Sequence, residues 1–326
     1  MHYRRFGTTD LTVSEVGFGC ARLGGIFQGT TRAEMVNTLH AAFDRGITFF
    51  DTADMYCQGE SEQLLGQAFR HKRDKVVIAS KAGYCLPAQR KLASRVKPLI
   101  KPLIQRLGLK RQYIPAGIRG TLSQDFSSAY LLKAVEDSLR RLNTDYLDLY
   151  QLHSPPAAVL EDGAFLEPLE KLKNQGKIRY YGVSCESTDD ALICLRYAGI
   201  SALQIRLNLL DQSALGRAVP EARDRGIALI ARECFAGGLL AKPADALNLE
   251  TIIPDDAERE TRRQQIMEYH RIAEREERSV PQMAFQFVRD TPGISVSLLG
   301  MRTAEHLSSN MQLVEATPNS AVQPTA

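Results

Sequence analysis

Short apolar and β-branched runs alternate with amphipathic helical stretches along nearly the whole chain, and this alternation constrains the fold more than any other feature. A first strand is read over Glu15 to Phe18. A helix follows over Thr31 to Asp44, where Met35, Leu39 and Phe43 recur at helical spacing. Strand–helix pairs continue as Ile47 to Ala53 with Ser61 to Arg70, and Lys75 to Lys81 with Ser127 to Leu142. Next come Asp145 to His153 with Phe165 to Gln175, Ile178 to Val183 with Thr188 to Ala198, and Ala202 to Leu207 with Arg217 to Arg225. Ile227 to Arg232 leads to a long polar helix, about Ala257 to Arg278, and through Pro281 to another ending near Asp290. Ser295 to Leu299 is the eighth strand and Ala304 to Met311 the last helix. A helix between successive strands supplies the crossover that parallel pairing needs. Eight such units predict an α/β protein closed into a single (β/α)8 barrel of the TIM type, rather than an open doubly wound sheet.

The 326 residues suffice for one such barrel, and no linker divides them. The barrel is expected over residues 1–314, with a small polar tail, disordered, over 315–326. A long inserted loop follows the third strand, from Tyr84 to Gln124. No apolar run approaches the roughly 18–20 residues that cross a bilayer, and the N-terminus lacks the apolar stretch of a signal peptide. A cytoplasmic, soluble protein without a membrane partner is expected. The net charge of +3 is too small to argue for nucleic acid. The six cysteines, at 20, 57, 85, 185, 194 and 234, form no Cys-x-x-Cys pair, so neither a disulfide framework nor a metal site is expected. Gly17-Phe18-Gly19 follows a strand, but Arg22 stands where a dinucleotide fingerprint needs its third glycine, so that device is absent.

Four polar residues occupy telling places. Asp51 ends the second strand, Tyr56 lies in the loop after it, Lys81 ends the third, and His153 ends the fourth. The C-terminal strand ends of a (β/α)8 barrel form one face, where reactive groups collect. These four types suit one reaction. Hydride transfer to a carbonyl creates an alkoxide that needs a proton. A Tyr hydroxyl can give it, although its ordinary pKa near 10 is high for an efficient acid. A nearby ammonium favours the phenolate. Tyr56 is therefore assigned as general acid, Lys81 as its tuner, Asp51 as the anchor of Lys81, and neutral His153 as orienter of the carbonyl.

The motifs around these residues resemble those of the aldo-keto reductase family. The resemblance is carried by Gly46 to Tyr56 (GITFFDTADMY), Ser61 to Gly66, Ile78 to Gly83, Asp137 to Pro155, and Ile178 to Ser184. It covers the chain from Tyr3 to about Leu313 and fills all four positions of the family's tetrad. It implies a nicotinamide cofactor, NADP(H) rather than NAD(H), lying extended across the barrel mouth. Ser184 and Gln204 would hold the nicotinamide carboxamide. Arg232 stands where many members stack a Tyr on the ring, and a guanidinium plane can do the same. Arg302 and Asn310 would meet the adenosine phosphate and the adenine. The substrate implied is a small-molecule carbonyl: an aldehyde, ketone, sugar or quinone-like compound. The resemblance also admits a cofactor-binding regulatory subunit with little turnover, like the β subunits of potassium channels.

Three departures stand out. Cys57 replaces a usual Gly, Cys185 replaces a frequent Asn, and Glu233-Cys234-Phe235 replaces a common Ser-Pro-Leu. Cys57, Cys85 and Cys185 near the pocket would make activity sensitive to thiol reagents. The inserted loop carries no Asp or Glu, while Arg90, Lys91, Arg95, Lys97, Lys101, Arg106, Lys110, Arg111 and Arg119 are basic. It reads as a solvated basic loop in preference to one that attracts an anionic cofactor or substrate, with Leu99, Leu103, Ile104 and Leu107 suggesting a short lid helix.

Overall fold

The computed structural model describes residues 1–25, 30–85, 123–242, 249, 253 and 255–316. The basic stretch of the insertion and the tail beyond Ala316 lie outside the described residues, and so do the expectations made for them. Twelve strands are described: β1 (Tyr3–Arg5), β2 (Thr12–Ser14), β3 (Val16–Gly19), β4 (Phe49–Asp51), β5 (Val77–Ala82), β6 (Tyr84–Cys85), β7 (Ser123–Gln124), β8 (Leu147–His153), β9 (Ile178–Ser184), β10 (Ala202–Arg206), β11 (Ala228–Arg232) and β12 (Ile294–Gly300). Eight of them close a barrel in the order β3-β4-β5-β8-β9-β10-β11-β12, every neighbouring pair parallel. The eight expected strands are these eight.

The helices follow from their caps. Thr31 opens the helix Arg32–Asp44 with a capping box closed by Glu34. Ser127 accepts from the Tyr130 amide to open Ser128–Leu142. Ser279 and Gln282 form a second box before Val280–Asp290. Two expected boundaries move by more than three residues. The helix expected over Thr188 to Ala198 ends at Cys194. The last helix runs Ala304–Ala316, so Glu315 and Ala316, expected in the tail, are helical. Leu307, Met311 and Val314 are buried along it and carry it past Met311.

Strand periodicity sorts the residues into two cores. One lies between barrel and helices and includes Phe18, Phe50, Ile78, Tyr150 and Val183. The other fills the barrel interior with Phe49, Val77, Ala79, Leu149, Ala202, Ala228, Ile230, Val296 and Leu298. Phe6, Leu11 and Val13, carried by the antiparallel hairpin β1–β2, join this interior cluster at the N-terminal end of the strands. Their anchor is Phe6, whose ring centre lies 5.7 Å from that of Phe49. The sequence reading did not assign this hairpin, because three-residue strands carry too little periodicity. Strand closure also explains Gly182. A Cβ there would stand 2.1 Å from the Ala202 carbonyl of the neighbouring strand.

Two-residue periodicity then positions the site. From the apolar floor, each strand's interior face continues upward into polar residues: Phe49 to Asp51, Ala79 to Lys81, Leu149 to Gln151 to His153, Ala202 to Gln204 to Arg206, and Ile230 to Arg232.

Candidate active site

Asp51 lies at the C-terminal end of β4 and Lys81 one residue before the end of β5. Lys81 is 0% exposed. Its ammonium donates to Asp51 Oδ2 at 2.6 Å, to the Thr52 carbonyl at 3.0 Å, and to the Tyr56 hydroxyl at 3.4 Å. Burial alone would strip the proton from Lys81, but Asp51 and Tyr56 outweigh it and hold its pKa above the ordinary lysine value. The other carboxylate oxygen of Asp51 accepts from Gln204 Nε2 at 2.9 Å and from Gln151 Nε2 at 3.4 Å. Asp51 is thus clamped from three other strands.

Tyr56 is set by a tight turn. Cys57 and Gln58, directly after it, adopt left-handed backbone with φ of 48° and 63°, unusual for side-chain-bearing residues. The turn ends at Gly59 and leads into the helix Glu60–Phe69. The Tyr56 ring meets that of His153 edge-on, with centres 5.7 Å apart. The His153 ring also meets that of Tyr84 nearly at a right angle, with centres 4.9 Å apart. His153 Nδ1 is buried with no hydrogen-bond partner in the protein.

Two electrostatic results refine the expectation. Burial, then the charges of Lys81 and Arg232, push His153 down to about 3, which fixes it as a neutral imidazole. For Tyr56, burial raises the pKa more than Lys81 lowers it, so the net direction is upward. Lys81 moderates the rise and does not reverse it, which corrects the expectation of a lowered value. The phenol retains its proton at neutral pH, the state a proton donor requires.

The residues expected to hold the nicotinamide stand beside this cluster. Ser184 ends β9 and donates to Gln204 Oε1 at 3.3 Å. Arg232 ends β11, only 17% of its side chain exposed, and donates to the Cys185 carbonyl at 3.1 Å. Its Nε is buried and has no partner. Arg302 and Asn310 lie elsewhere, after β12. Asn310 reaches the Gly300 carbonyl at 3.3 Å and joins none of the tetrad's hydrogen bonds.

Sequence reasoning missed Gln151 and Thr52, which complete the shell of Asp51 and Lys81, and Arg206, Glu186 and Asp54 around the rim. The two-residue period could have found two of them. Gln151 lies two before His153, and Arg206 two after Gln204, on the same faces. The insertion leaves β5 through the antiparallel neck β6–β7, which pairs Tyr84 with Gln124 and Cys85 with Ser123.

The model of the Aldo/keto reductase family matches residues 15–322, and the chain belongs to that family. An uncharacterised oxidoreductase of Bacillus subtilis, YqkF, is 29% identical over 97% of this chain and 92% of its own length. A pyridoxal 4-dehydrogenase of Microbacterium luteolum is 28% identical over 94% and 91%. The solved structure of the aldo-keto reductase AKR11C1 from Bacillus halodurans, in its holo form, superposes with a TM-score of 0.73 at 28% identity, covering 98% of this chain and 93% of that one. The chain is thus an oxidoreductase of the kind that acts on carbonyl compounds with a nicotinamide cofactor. Among the described residues no cluster of His, Cys, Asp and Glu could hold a metal ion, and no helix is long and apolar enough to cross a membrane.

The donors at the barrel mouth fit such a cofactor. A buried, unpartnered Arg232 Nε and the Ser184–Gln204 pair stand near the edge-on rings of Tyr56 and His153.

Proposed function

We propose that this protein interconverts a small-molecule carbonyl and its alcohol with NADP(H) in preference to NAD(H), with Tyr56 as general acid and base. The cofactor supplies the hydride; the chain's own residues do the rest. Tyr56 gives its hydroxyl proton to the oxygen of the forming alkoxide and takes one back in the reverse direction. Lys81 stabilises the phenolate left behind, at 3.4 Å in the resting geometry. Asp51 keeps Lys81 charged and in place. Neutral His153 offers a ring N–H to the carbonyl oxygen without competing as an acid. With its value near 3, the ring carries a single proton at working pH.

Ser184 and Gln204 present oxygen atoms suited to the carboxamide of the nicotinamide, and Arg232 presents a flat guanidinium suited to its ring. Arg302 suits a 2′-phosphate and Asn310 the adenine, the basis of the preference for NADP(H). The observation that carries the reading is the fully buried Lys81 between Asp51 and Tyr56, a charge that barrel packing alone would not retain.

The test is oxidation of NADPH and NADH by the purified protein across aldehydes, ketones, sugars and quinones, with Tyr56→Phe alongside. Turnover should fall about 10²–10⁴-fold in Tyr56→Phe, with cofactor affinity unchanged. Equal turnover in both proteins would sink Tyr56 as proton donor. Cofactor binding without turnover on any carbonyl would point instead to a regulatory subunit. Arg302→Ala should weaken NADPH and leave NADH untouched.

A further inference from the structure

Arg206 and Arg232 occupy paired register positions at the ends of β10 and β11, both on the interior face of the barrel. Two guanidiniums side by side repel, and three carboxylates surround them. Glu186, in the turn after β9, meets Arg206 at 2.7 Å with one oxygen and Arg232 at 3.1 Å with the other. Glu233, directly after Arg232 in sequence, also meets both arginines. One of its oxygens bonds Arg232 Nη1, and the other lies 3.2 Å from Arg206 Nε. Asp211 adds a carboxylate 3.8 Å from Arg206. Among the described residues, the collar around Arg232 therefore holds more negative than positive charge. Its construction is specific. Glu233 sits in left-handed backbone, φ 60°, a conformation disfavoured for a side-chain-bearing residue, and there its carboxylate spans both arginines. Glu186 also accepts from the Ser154 hydroxyl at 3.3 Å, tying the collar to the residue after His153.

We propose that Glu186 and Glu233 act through Arg232 as tuning residues, setting how tightly the site holds an oxidised nicotinamide relative to a reduced one. This rests on the reading that Arg232 faces the nicotinamide ring. The reduced ring is neutral and the oxidised ring carries one positive charge. A bare guanidinium beside the ring would repel only the oxidised form. Two carboxylates bonded to that guanidinium cancel the repulsion. Arg232 is 17% exposed but Glu186 is 57% and Glu233 40%, so solvent weakens the effect without abolishing it. The collar favours the cationic product of hydride donation. It makes the bound reduced cofactor the better donor and holds back release of the oxidised one.

The experiment is direct titration of the full-length protein with NADPH and with NADP⁺, by fluorescence or calorimetry. Wild type is compared with Glu186→Gln, Glu233→Gln and the double variant, each first checked by thermal melt; either single variant suffices if the other misfolds. Each single substitution should weaken the oxidised form by about three- to tenfold relative to the reduced form, and the double by more. In about 1 M salt, where charges are screened beyond roughly 3 Å, the shift should shrink. Equal weakening of both forms, or a ratio indifferent to salt, would overturn the proposal and leave the carboxylates as mere supports of Arg232. Wild-type protein that binds neither form would instead overturn the cofactor reading itself.

Discussion

Lys81 and Asp51 form an ion pair inside the barrel, 2.6 Å apart, with side chains 0% and 5% exposed. Removing one partner strands the other's charge away from water. Lys81→Met should therefore destabilise the protein by about 3–5 kcal/mol. The double variant Lys81→Met/Asp51→Asn should recover a large part of that loss, because the stranded carboxylate is gone. Neither variant should regain turnover. Denaturant unfolding of the two singles and the double measures the coupling. Additive losses would show that the two charges do not sense each other.

His153 supplies a pH signature. Its folded value lies near 3, against 6.5 for the free side chain. The unfolded chain binds a proton below about pH 6.5 that the folded chain refuses until about pH 3. Stability attributable to His153 is therefore full above pH 6.5 and is lost as pH falls through that window. Between pH 7 and pH 5 the loss should be about 1–2 kcal/mol, and His153→Gln should remove it. The His153 ring resonance should not titrate between pH 5 and 8. A midpoint near 6.5 would show that the imidazole is open to water, and would also remove the case for a neutral hydrogen-bond donor at the carbonyl.

The barrel and the tetrad were legible in the sequence for different reasons. Strands such as Lys75 to Lys81 announce themselves because a parallel strand buried on both faces reads as a nearly continuous apolar run, and Asp145 to His153 does so despite Asp148 and Gln151 within it. Asp51, Lys81 and His153 stand out because a charged or polar residue breaks such a run where it meets the barrel's functional rim. The direction of the Tyr56 shift was not legible. It depends on the balance between desolvation and the Lys81 charge, and burial depth is a property of the closed barrel. The collar around Arg232 was hidden for a similar reason. The two-residue period puts Arg206 on the face of Gln204, and Glu233 stands out as a departure from the family pattern, but only strand register and the turn after β9 bring Arg206, Glu233 and Glu186 together around Arg232. The hairpin β1–β2 escaped because its strands are too short to show a period.

Asp54 contributes a pH dependence of opposite sign. It lies in the loop between Asp51 and Tyr56, and its amide donates to the Lys81 carbonyl. Its Oδ2 accepts from the Tyr130 hydroxyl at 3.2 Å, while Oδ1 is covered and has no protein partner. Burial, and then the Glu62 carboxylate, push its pKa up to about 7, with Arg141 pulling the other way. The folded protein thus holds a proton between about pH 3.8 and 7 that the unfolded chain has released, so stability attributable to Asp54 declines as pH rises through that range. Asp54→Asn, which cannot ionise, should gain on wild type by about 1–3 kcal/mol between pH 5 and pH 8. A stability difference constant across that range would show that Asp54 is charged throughout.

The cysteines should divide cleanly under a bulky thiol reagent. Cys20, Cys185, Cys194 and Cys234 are at most 1% exposed, whereas Cys57 and Cys85 are partly open. Burial also pushes the Cys20 and Cys234 thiols up, and Cys185 is pushed up first by its hydrogen bond with Cys194 and then by burial, so little reactive thiolate forms. Cys185, expected from sequence among the accessible thiols, therefore drops out. Brief maleimide treatment followed by peptide mass spectrometry should find Cys57 and Cys85 modified and the other four unmodified until the protein is unfolded. Labelling should also lower turnover several-fold. Cys57 directly follows Tyr56 in a left-handed turn, φ 48°, and Cys85 sits in the neck of the insertion beside Tyr84, whose ring packs on His153. Cys57→Ser and Cys85→Ser, tested singly, assign the loss to one thiol. Full activity with both thiols labelled would place them outside the path of the substrate.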